Sequence, residues 1–121
     1  MRFERMPWCE EACLGLARTF HSDGDFDAVA HVRENVIAGR YELWRVDGDS
    51  WAVTHTYQQQ MFCWCYQGRN VLEFAVTMRR IARDNGLRCV KFATRRRGLS
   101  RLLKPLNPVL VEPEIYEIGV Q

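Results

Sequence analysis

The sequence has no apolar run that approaches the ~20 residues of a membrane-spanning helix. Its opening, Met-Arg-Phe-Glu-Arg-Met, lacks the apolar stretch of a secretory signal peptide. The chain has five cysteines, and this odd number argues against a disulfide framework. We therefore expect a cytoplasmic protein with no membrane partner, folded as a single domain over residues 1–121.

The cysteines also lack the spacing of a metal site. Cys9 and Cys13 are four residues apart, and Cys63 and Cys65 are separated by one residue of a predicted strand. Structural zinc sites usually present pairs of the C-x2-C type, which this sequence does not contain. Because side chains alternate along a strand, we expect Cys63 and Cys65 to share one face. We interpret the cysteines as small, buried hydrophobic residues and expect no metal.

Acidic residues are scarce between positions 79 and 104, where one acid accompanies ten lysines and arginines. The first 50 residues have the opposite balance, with ten acids and six basic residues. A basic block of this kind is either a solvated surface or a surface that binds phosphate groups. Arg95, Arg96 and Arg97 directly follow a predicted strand, and in β-α-β units the carboxyl ends of strands carry ligands. These three arginines are therefore candidate phosphate-binding residues.

Hydrophobic periodicity predicts the element order α-α-β-β-β-α-β-α-β. In chain order the predicted elements cover residues 8–20, 27–38, 41–46, 51–57, 61–66, 71–84, 87–94, 98–106 and 109–120. The strand, helix and strand within 61–94 form a right-handed crossover, so these two strands should be parallel. The predicted fold is α/β in the wider α+β sense, a mixed and mostly antiparallel sheet with helices on both faces.

Two turns have strong local signals. Asp47-Gly48 favours a tight hairpin, because the central positions of a type I′ turn need positive φ. Trp44 and Trp51 flank this turn and are placed to pair across the hairpin. The turn at 67–70 precedes the central helix and reads Gln-Gly-Arg-Asn.

Asn70 is a typical N-cap residue, and Glu73 stands at the N3 position of a capping-box variant. We expect the Asn70 side chain to bond the N–H groups of the first helical turn. Those groups would otherwise be available to a bound anion. The residue types of this turn therefore favour capping of the helix over binding of a phosphate.

The succession of elements resembles the GNAT superfamily of acyl-CoA-dependent N-acyltransferases over residues 8–120. Ala82 and Gly86 match the A-x-x-x-G that ends the central helix of that family, and Val-Lys-Phe-Ala-Thr at 90–94 is similar to its following strand. The first strand of the family would correspond to residues 2–6. The resemblance implies the GNAT fold, an acyl-CoA cofactor such as acetyl-CoA, and an amine as the acceptor.

The family binds pyrophosphate in a turn of consensus R/Q-x-x-G-x-G/A. Here Gln67 takes the leading position, while Asn70 and Leu72 stand where small residues are expected. The resemblance implies that the cofactor is held by Gln67, Gly68, Arg69, Asn70 and Val71, helped by Arg95, Arg96 and Arg97. Asn70 and Glu73 both oppose a bound pyrophosphate, which predicts an eroded form of this site.

The resemblance also implies a base that takes the amine proton and an acid that protonates the thiol. The family often uses a strand carboxylate or a water chain as base and a tyrosine as acid. His55 is the histidine in a predicted strand, an imidazole suits this role, and Glu42 is the nearest strand carboxylate. Tyr116, in the last predicted strand, is the candidate acid. The ordinary interpretation of a lone strand histidine is a structural one.

A second hypothesis is a non-catalytic protein of the same fold. The resemblance extends to small, degenerate GNAT-like proteins encoded by phages, some of which are virion or accessory components. Such a protein would bind another protein, or nucleic-acid phosphates through Arg95, Arg96 and Arg97. Its location would then be the host cytoplasm or the virion.

Overall fold

The computed structural model describes residues 1–22, 27–94 and 98–121. In chain order its elements are β1 (Phe3–Met6), α1 (Glu10–Ser22), α2 (Ala28–Ile37), β2 (Glu42–Val46), β3 (Ser50–Tyr57), β4 (Gln60–Gln67), α3 (Val71–Asp84), β5 (Cys89–Ala93), α4 (Leu99–Leu102), a 3-10 turn (Lys104–Leu106), β6 (Val109–Glu112) and β7 (Ile115–Gly119). The strands form one sheet of seven in the order β1-β2-β3-β4-β5-β7-β6. The long helices therefore connect strands near the middle and one edge of the sheet.

The sheet is mixed and mostly antiparallel, as predicted. The pair β4 and β5 is parallel, and the other five neighbouring pairs are antiparallel. Helix α3 connects the two parallel strands, because parallel neighbours need a crossover that returns the chain to the end of the sheet where the first strand began. The predicted β-α-β unit is therefore confirmed.

Helices cover both faces of the sheet, and each face has its own hydrophobic cluster. On one face Phe74 and Met78 of α3 pack with Leu103 after α4. On the other face Leu16 of α1 and Val32 of α2 pack against β2, β3 and β4. We call these the α3 face and the α1–α2 face. No helix in the described ranges is long and apolar enough to cross a membrane.

The two ends of the chain add strands that the periodicity did not separate. Residues 3–6 form an edge strand beside β2. The predicted tail strand is instead a hairpin of β6 and β7. Pro113 has no N–H to donate to a ladder, and Glu114 has a φ of 64°, so the chain turns at this point.

Trp44 and Trp51 do not pair across the first hairpin. Val46 pairs with Ser50, so the loop has three residues and Trp44 lies opposite Ala52. A slip of one residue moves a side chain to the other face of a sheet. Trp44 therefore packs on the α3 face, and Trp51 belongs to the cluster on the α1–α2 face.

The second hairpin turns through Gln58 and Gln59, whose φ angles are 48° and 62°. Tyr57 pairs with Gln60, which makes the loop two residues long. Positive φ at both central positions is the type I′ geometry, for which Asn-Gly is the preferred sequence. A left-handed conformation costs a residue with a Cβ atom about 1–2 kcal/mol.

We expect the double substitution Gln58→Asn, Gln59→Gly to raise the free energy of unfolding by about 1–2 kcal/mol, because both new residues tolerate positive φ. Differential scanning calorimetry should show the melting temperature rise by about 4 °C or more. Gln58→Ala is the matched control and should give no rise. An unchanged melting temperature in the double variant would show that the turn stores no strain.

Candidate functional site

Strands β4 and β5 separate part of the way along the sheet. Their pairing runs from Gln60 with Cys89 to Cys63 with Phe92. Strand β4 continues to Gln67, whereas β5 ends at Ala93. Within the described residues, the stretch 64–67 of β4 therefore has no strand beside it on the β5 side. Its backbone N–H and C=O groups on that side can pair with a ligand, as at a sheet edge.

A β-bulge at Trp64 marks the point where the strands part. Val53 pairs with Cys65 and Thr54 pairs with Cys63, so Trp64 is an extra residue on β4. The bulge turns Cys65 to the α1–α2 face, while Cys63 stays on the α3 face. The prediction that these cysteines share one face is therefore wrong. The Cys63 thiol donates a hydrogen bond to the Cys65 carbonyl oxygen at 3.5 Å.

Both thiols are held in their neutral form. Burial raises the pKa of Cys65 to about 12. Burial, and then the neighbouring Cys65, raises the pKa of Cys63 well above its ordinary value. Among the described residues no group of three or more His, Cys, Asp or Glu side chains is placed to hold a metal ion.

These raised pKa values predict a loss of stability at alkaline pH. In the unfolded chain a thiol ionises near its ordinary pKa of 9.0, whereas Cys65 stays protonated in the native state up to about 12. The unfolded state therefore binds fewer protons between these values, and the free energy of unfolding falls as pH rises by at most about 1.4 kcal/mol per pH unit and group. Urea denaturation at about pH 9 and about pH 11 measures this slope. Cys65→Ala should give a shallower slope, and an equal slope would contradict the assignment.

The turn between β4 and α3 does not have the predicted side-chain cap. Asn70 adopts the left-handed conformation (φ 57°, ψ 55°), and its side chain makes no cap hydrogen bond. A capping side chain needs a residue in the β region, from which it bonds the second or third amide of the helix. Asn70 instead occupies the conformation that glycine adopts most easily. The first-turn amides of α3 are thus left available for an anion.

Gly68 lies where no side chain fits. A Cβ atom on this residue would be 2.6 Å from Ser50 Oγ and 2.6 Å from the Tyr66 hydroxyl oxygen. The Tyr66 hydroxyl donates to the carbonyl oxygen of Arg69. These contacts hold the turn closely against β3 and β4. Glycine is therefore required at position 68 because the turn lies so close to Ser50 and Tyr66. The sequence showed the glycine but not this contact.

Gln67 and Val71 present backbone rather than side chains to this turn. The Gln67 Oε1 atom would be 3.4 Å from a Cβ on Gly15, so its side chain packs against α1. The Val71 side chain packs into the cluster of the α3 face. Arg69 is exposed and is the cationic side chain within residues 67–71. Arg95, Arg96 and Arg97 lie outside the residues that the structure describes.

Carboxylates lie close to the same turn. Burial raises the pKa of Tyr66, and the charges of Asp47, Asp49 and Glu73 raise it further, against a hydrogen bond from Ser50. Glu73 Oε1 also lies 3.5 Å from the amino nitrogen of Met1. An anion at the first turn of α3 would therefore depend on amides and on Arg69 to outweigh these charges.

The two candidate catalytic residues lie on opposite faces of the sheet. His55 stacks on Tyr57, with ring centroids 4.9 Å apart, and lies 5.2 Å from the ring of Tyr41 on the α1–α2 face. Tyr116 pairs with Phe92, which belongs to the cluster of the α3 face. Two strands separate His55 from Tyr116, so their backbones are about 14 Å apart at ~4.8 Å per strand. The structure does not bring them into contact.

Glu42 is held in a short hydrogen-bonded chain. Its Oε2 atom accepts from the Thr54 hydroxyl at 3.0 Å, and Thr54 Oγ1 accepts from the Trp44 indole N–H at 2.9 Å. Thr54 is fully buried. These contacts give Glu42 a structural role in joining β2 to β3.

Aromatic rings that sequence reasoning did not group form a patch on the α1–α2 face, beside the parting of β4 and β5. We call this the ring patch, and it consists of His31, His55, Tyr57, Phe62 and Trp64. Trp64 is 5.3 Å from Phe62 and 5.6 Å from His31, between ring centroids. Buried Tyr41 joins the two halves of the patch, 5.2 Å from His55 and 5.4 Å from Trp64. The available signal was the alternation of aromatic residues in two consecutive strands, at 55 and 57 and at 62 and 64.

Comparison with family models gave no match, and no curated protein matches this chain. Solved structures do match. A protein described as a GNAT-family acetyltransferase, from Desulfovibrio desulfuricans, aligns with a TM-score of 0.63 and 14% identity over 99% of both chains. The PaiA N-acetyltransferase of Thermoplasma acidophilum, in complex with coenzyme A, aligns with a TM-score of 0.58 and 9% identity, covering 98% of this chain and 99% of that chain. The chain therefore has the GNAT fold.

Proposed function

We propose that this protein is an N-acyltransferase that uses acyl-CoA, with acetyl-CoA as the simplest donor. The observation that carries the proposal is the parting of β4 and β5 directly before the uncapped first turn of α3. One feature offers unpaired strand backbone and the other offers helix amides, so together they suit a ligand with amide groups and a pyrophosphate. A solved structure of this fold in complex with coenzyme A supports the proposal.

The residues of the turn fit an acyl-CoA in specific ways. The amides at the start of α3 and the guanidinium of Arg69 would hold the pyrophosphate, with Asn70 acting through its backbone conformation. Gly68 lets the turn lie close to β3 and β4, and residues 64–67 offer free backbone groups. Acyl-CoA supplies the activated thioester. We keep Arg95, Arg96 and Arg97 in the proposed site as further phosphate ligands.

The proposed transfer joins the acceptor nitrogen to the acyl carbon as the C–S bond breaks, and one proton passes from the amine to the sulfur. His55 lies on the α1–α2 face and is proposed to take the amine proton. Tyr116 lies on the α3 face beside Phe92, in the last paired row before the parting. We propose that Tyr116 protonates the sulfur. Base and acid would then act from opposite sides of the parted strands.

Acetyl-CoA titration tests this proposal. At a concentration 100 times its Kd, a ligand that binds only the native state raises the free energy of unfolding by about 2.7 kcal/mol. Arg69→Gln should weaken acetyl-CoA about tenfold through loss of a charge-assisted hydrogen bond. Glu73→Gln should strengthen binding about twofold, because it removes a carboxylate from the first turn. Calorimetry measures both changes.

Asn70→Gly is the matched control, since glycine also adopts positive φ, and it should bind as the native chain does. Absence of any thermal shift at millimolar acetyl-CoA would overturn the proposal. It would favour the alternative, a GNAT-fold protein that binds protein or nucleic acid without catalysis. That alternative is supported by exposed basic residues that take part in neither salt bridge of the described chain, namely Arg80, Arg83, Arg88, Arg101 and Lys104.

A further inference from the structure

The ring patch stands apart from both hydrophobic cores. None of its five residues belongs to the cluster on either face within the described chain. Tyr57 is 38% exposed and Trp64 is 36% exposed. The core cluster of the α1–α2 face contains no residue of β5, β6 or β7. The rings therefore line the part of this face that lies next to the parting strands, outside the hydrophobic core. Core packing does not explain why these residues are aromatic.

Gln60 lies on the same face at the far end of the patch. Gln60, Phe62 and Trp64 are every second residue of β4 and lie on the same face. Gln60 pairs with the exposed Tyr57 on β3. The residue is 8% exposed, and its Oε1 atom has no hydrogen-bond partner among the described residues. A buried acceptor without a donor costs about 1–3 kcal/mol. An N–H or O–H group of a ligand would satisfy this oxygen.

Charged residues of both signs lie beside the ring patch. Lys91 follows Phe62 across the sheet and has Glu117 of β7 as its register partner. Glu117 Oε1 accepts from the Cys89 thiol at 3.3 Å. Arg40 lies close enough to Tyr41 to lower its pKa against the larger effect of burial, which raises it. Such a surface offers rings and an amide oxygen rather than a cluster of acids. It suits a ligand with one amino group on an aromatic body, since a chain of several ammonium groups would meet the cations Lys91 and Arg40 and gain only Glu117 beside Lys91 as a carboxylate among these residues.

The length of the patch defines the ligand further. From Cys63, where the strands part, to Gln60 the backbone spans about 10 Å at ~3.3 Å per residue. A two-carbon amine chain, a benzene ring and one hydrogen bond of about 2.8 Å together cover this distance. Resting on the acyltransferase function above, we propose that the ring patch binds the acceptor, and that the acceptor is an arylalkylamine with a hydroxyl or N–H group at the far side of its ring. The amine lies at the parting, the ring stacks on Phe62 and Tyr57, and the distal group donates to Gln60 Oε1.

Binding without acyl-CoA tests this proposal separately from catalysis. The probes are tyramine, phenethylamine, which lacks the ring hydroxyl, and 1,4-diaminobutane. The readout is the indole N–H signal of Trp64 in ¹H–¹⁵N spectra, identified with Trp64→Phe. Tyramine should shift this signal and bind at least tenfold more tightly than phenethylamine, because only its hydroxyl satisfies Gln60. The diamine should leave the signal unchanged.

Gln60→Leu should remove the difference between the two aromatic amines by weakening tyramine alone. It should not lower thermal stability, since it removes an unpaired buried oxygen. Val76→Ala, at an exposed position on α3, is the control and should change neither affinity. Tighter binding of the diamine, equal binding of the two aromatic amines, or no response of Trp64 would each overturn the proposal. If tyramine binds and acetyl-CoA does not, the acyltransferase function fails instead.

Discussion

Phe74→Ala is expected to lower the free energy of unfolding by about 3–5 kcal/mol. Phe74 is 1% exposed in the first turn of α3. Its ring stacks on Tyr66 of β4, with centroids 3.9 Å apart, and on Phe3 of β1 at 5.5 Å. It also meets Phe92 of β5 edge to face at 6.4 Å. One side chain thus joins the helix to three strands, and truncation leaves a cavity at that junction.

Urea denaturation measures this loss, with Phe74→Leu as the matched control. Leucine keeps most of the apolar volume and should cost less than half as much as alanine. Because Phe74 fixes the start of α3, Phe74→Ala should also weaken acetyl-CoA binding in the fraction that remains folded. Equal stability of the alanine and native chains would show that this part of α3 is not packed as described.

Gly68→Ala is expected to weaken acetyl-CoA binding at least tenfold and to destabilise the fold by about 1–3 kcal/mol. The new methyl group would lie 2.6 Å from both Ser50 Oγ and the Tyr66 hydroxyl, and 2.7 Å from Ser50 Cβ. The turn must move away from β3 to relieve these contacts. That movement displaces Arg69 and the first amides of α3 together, so binding falls by more than loss of one contact would explain.

Isothermal titration with acetyl-CoA and thermal unfolding separate the two effects. Gly119→Ala is the matched control, since a Cβ at that position meets no atom within 4 Å. Ser50→Gly in the Gly68→Ala background removes the nearest obstacle and should restore part of the affinity. If Gly68→Ala binds acetyl-CoA normally, the β4–α3 turn is not the pyrophosphate site, whatever its effect on stability.

Local sequence pattern predicted most helix and strand positions closely. Predictions of side-chain contacts were wrong where they depended on strand register or on backbone conformation. The two-residue hairpin expected at Asp47-Gly48 would have paired Trp44 with Trp51, but the loop includes Asp49 and the tryptophans face opposite sides. The observed three-residue loop has positive φ at Asp47 and Gly48, as a two-residue type I′ turn would, so the local signal did not distinguish them.

The turn before α3 shows the same limit at the proposed site. Asparagine serves both as an N-cap in the β region and as a residue that tolerates positive φ. Residue type therefore favoured a capped helix. In the structure Asn70 is left-handed instead, in a turn where Gly68 packs closely against Ser50 and Tyr66. The eroded consensus is thus compatible with free first-turn amides, because Asn70 supplies the backbone conformation of the expected glycine.

The sequence by itself determined the parallel β-α-β unit and the order of elements between β1 and the β6–β7 hairpin, because periodicities of 2 and 3.6 and the handedness of crossovers are local rules. The GNAT fold was expected from the resemblance of that order to the family. Only the tertiary structure decided where β4 leaves β5, which face each ring of the ring patch occupies, and that His55 and Tyr116 lie on opposite sides. The faces of His55, Phe62 and Tyr116 follow from the register of β3, β4, β5 and β7. The bulge at Trp64 and the end of pairing after Cys63 set where β4 leaves β5. A bulge depends on how two strands align with each other, and the residue pattern along one strand does not specify that alignment.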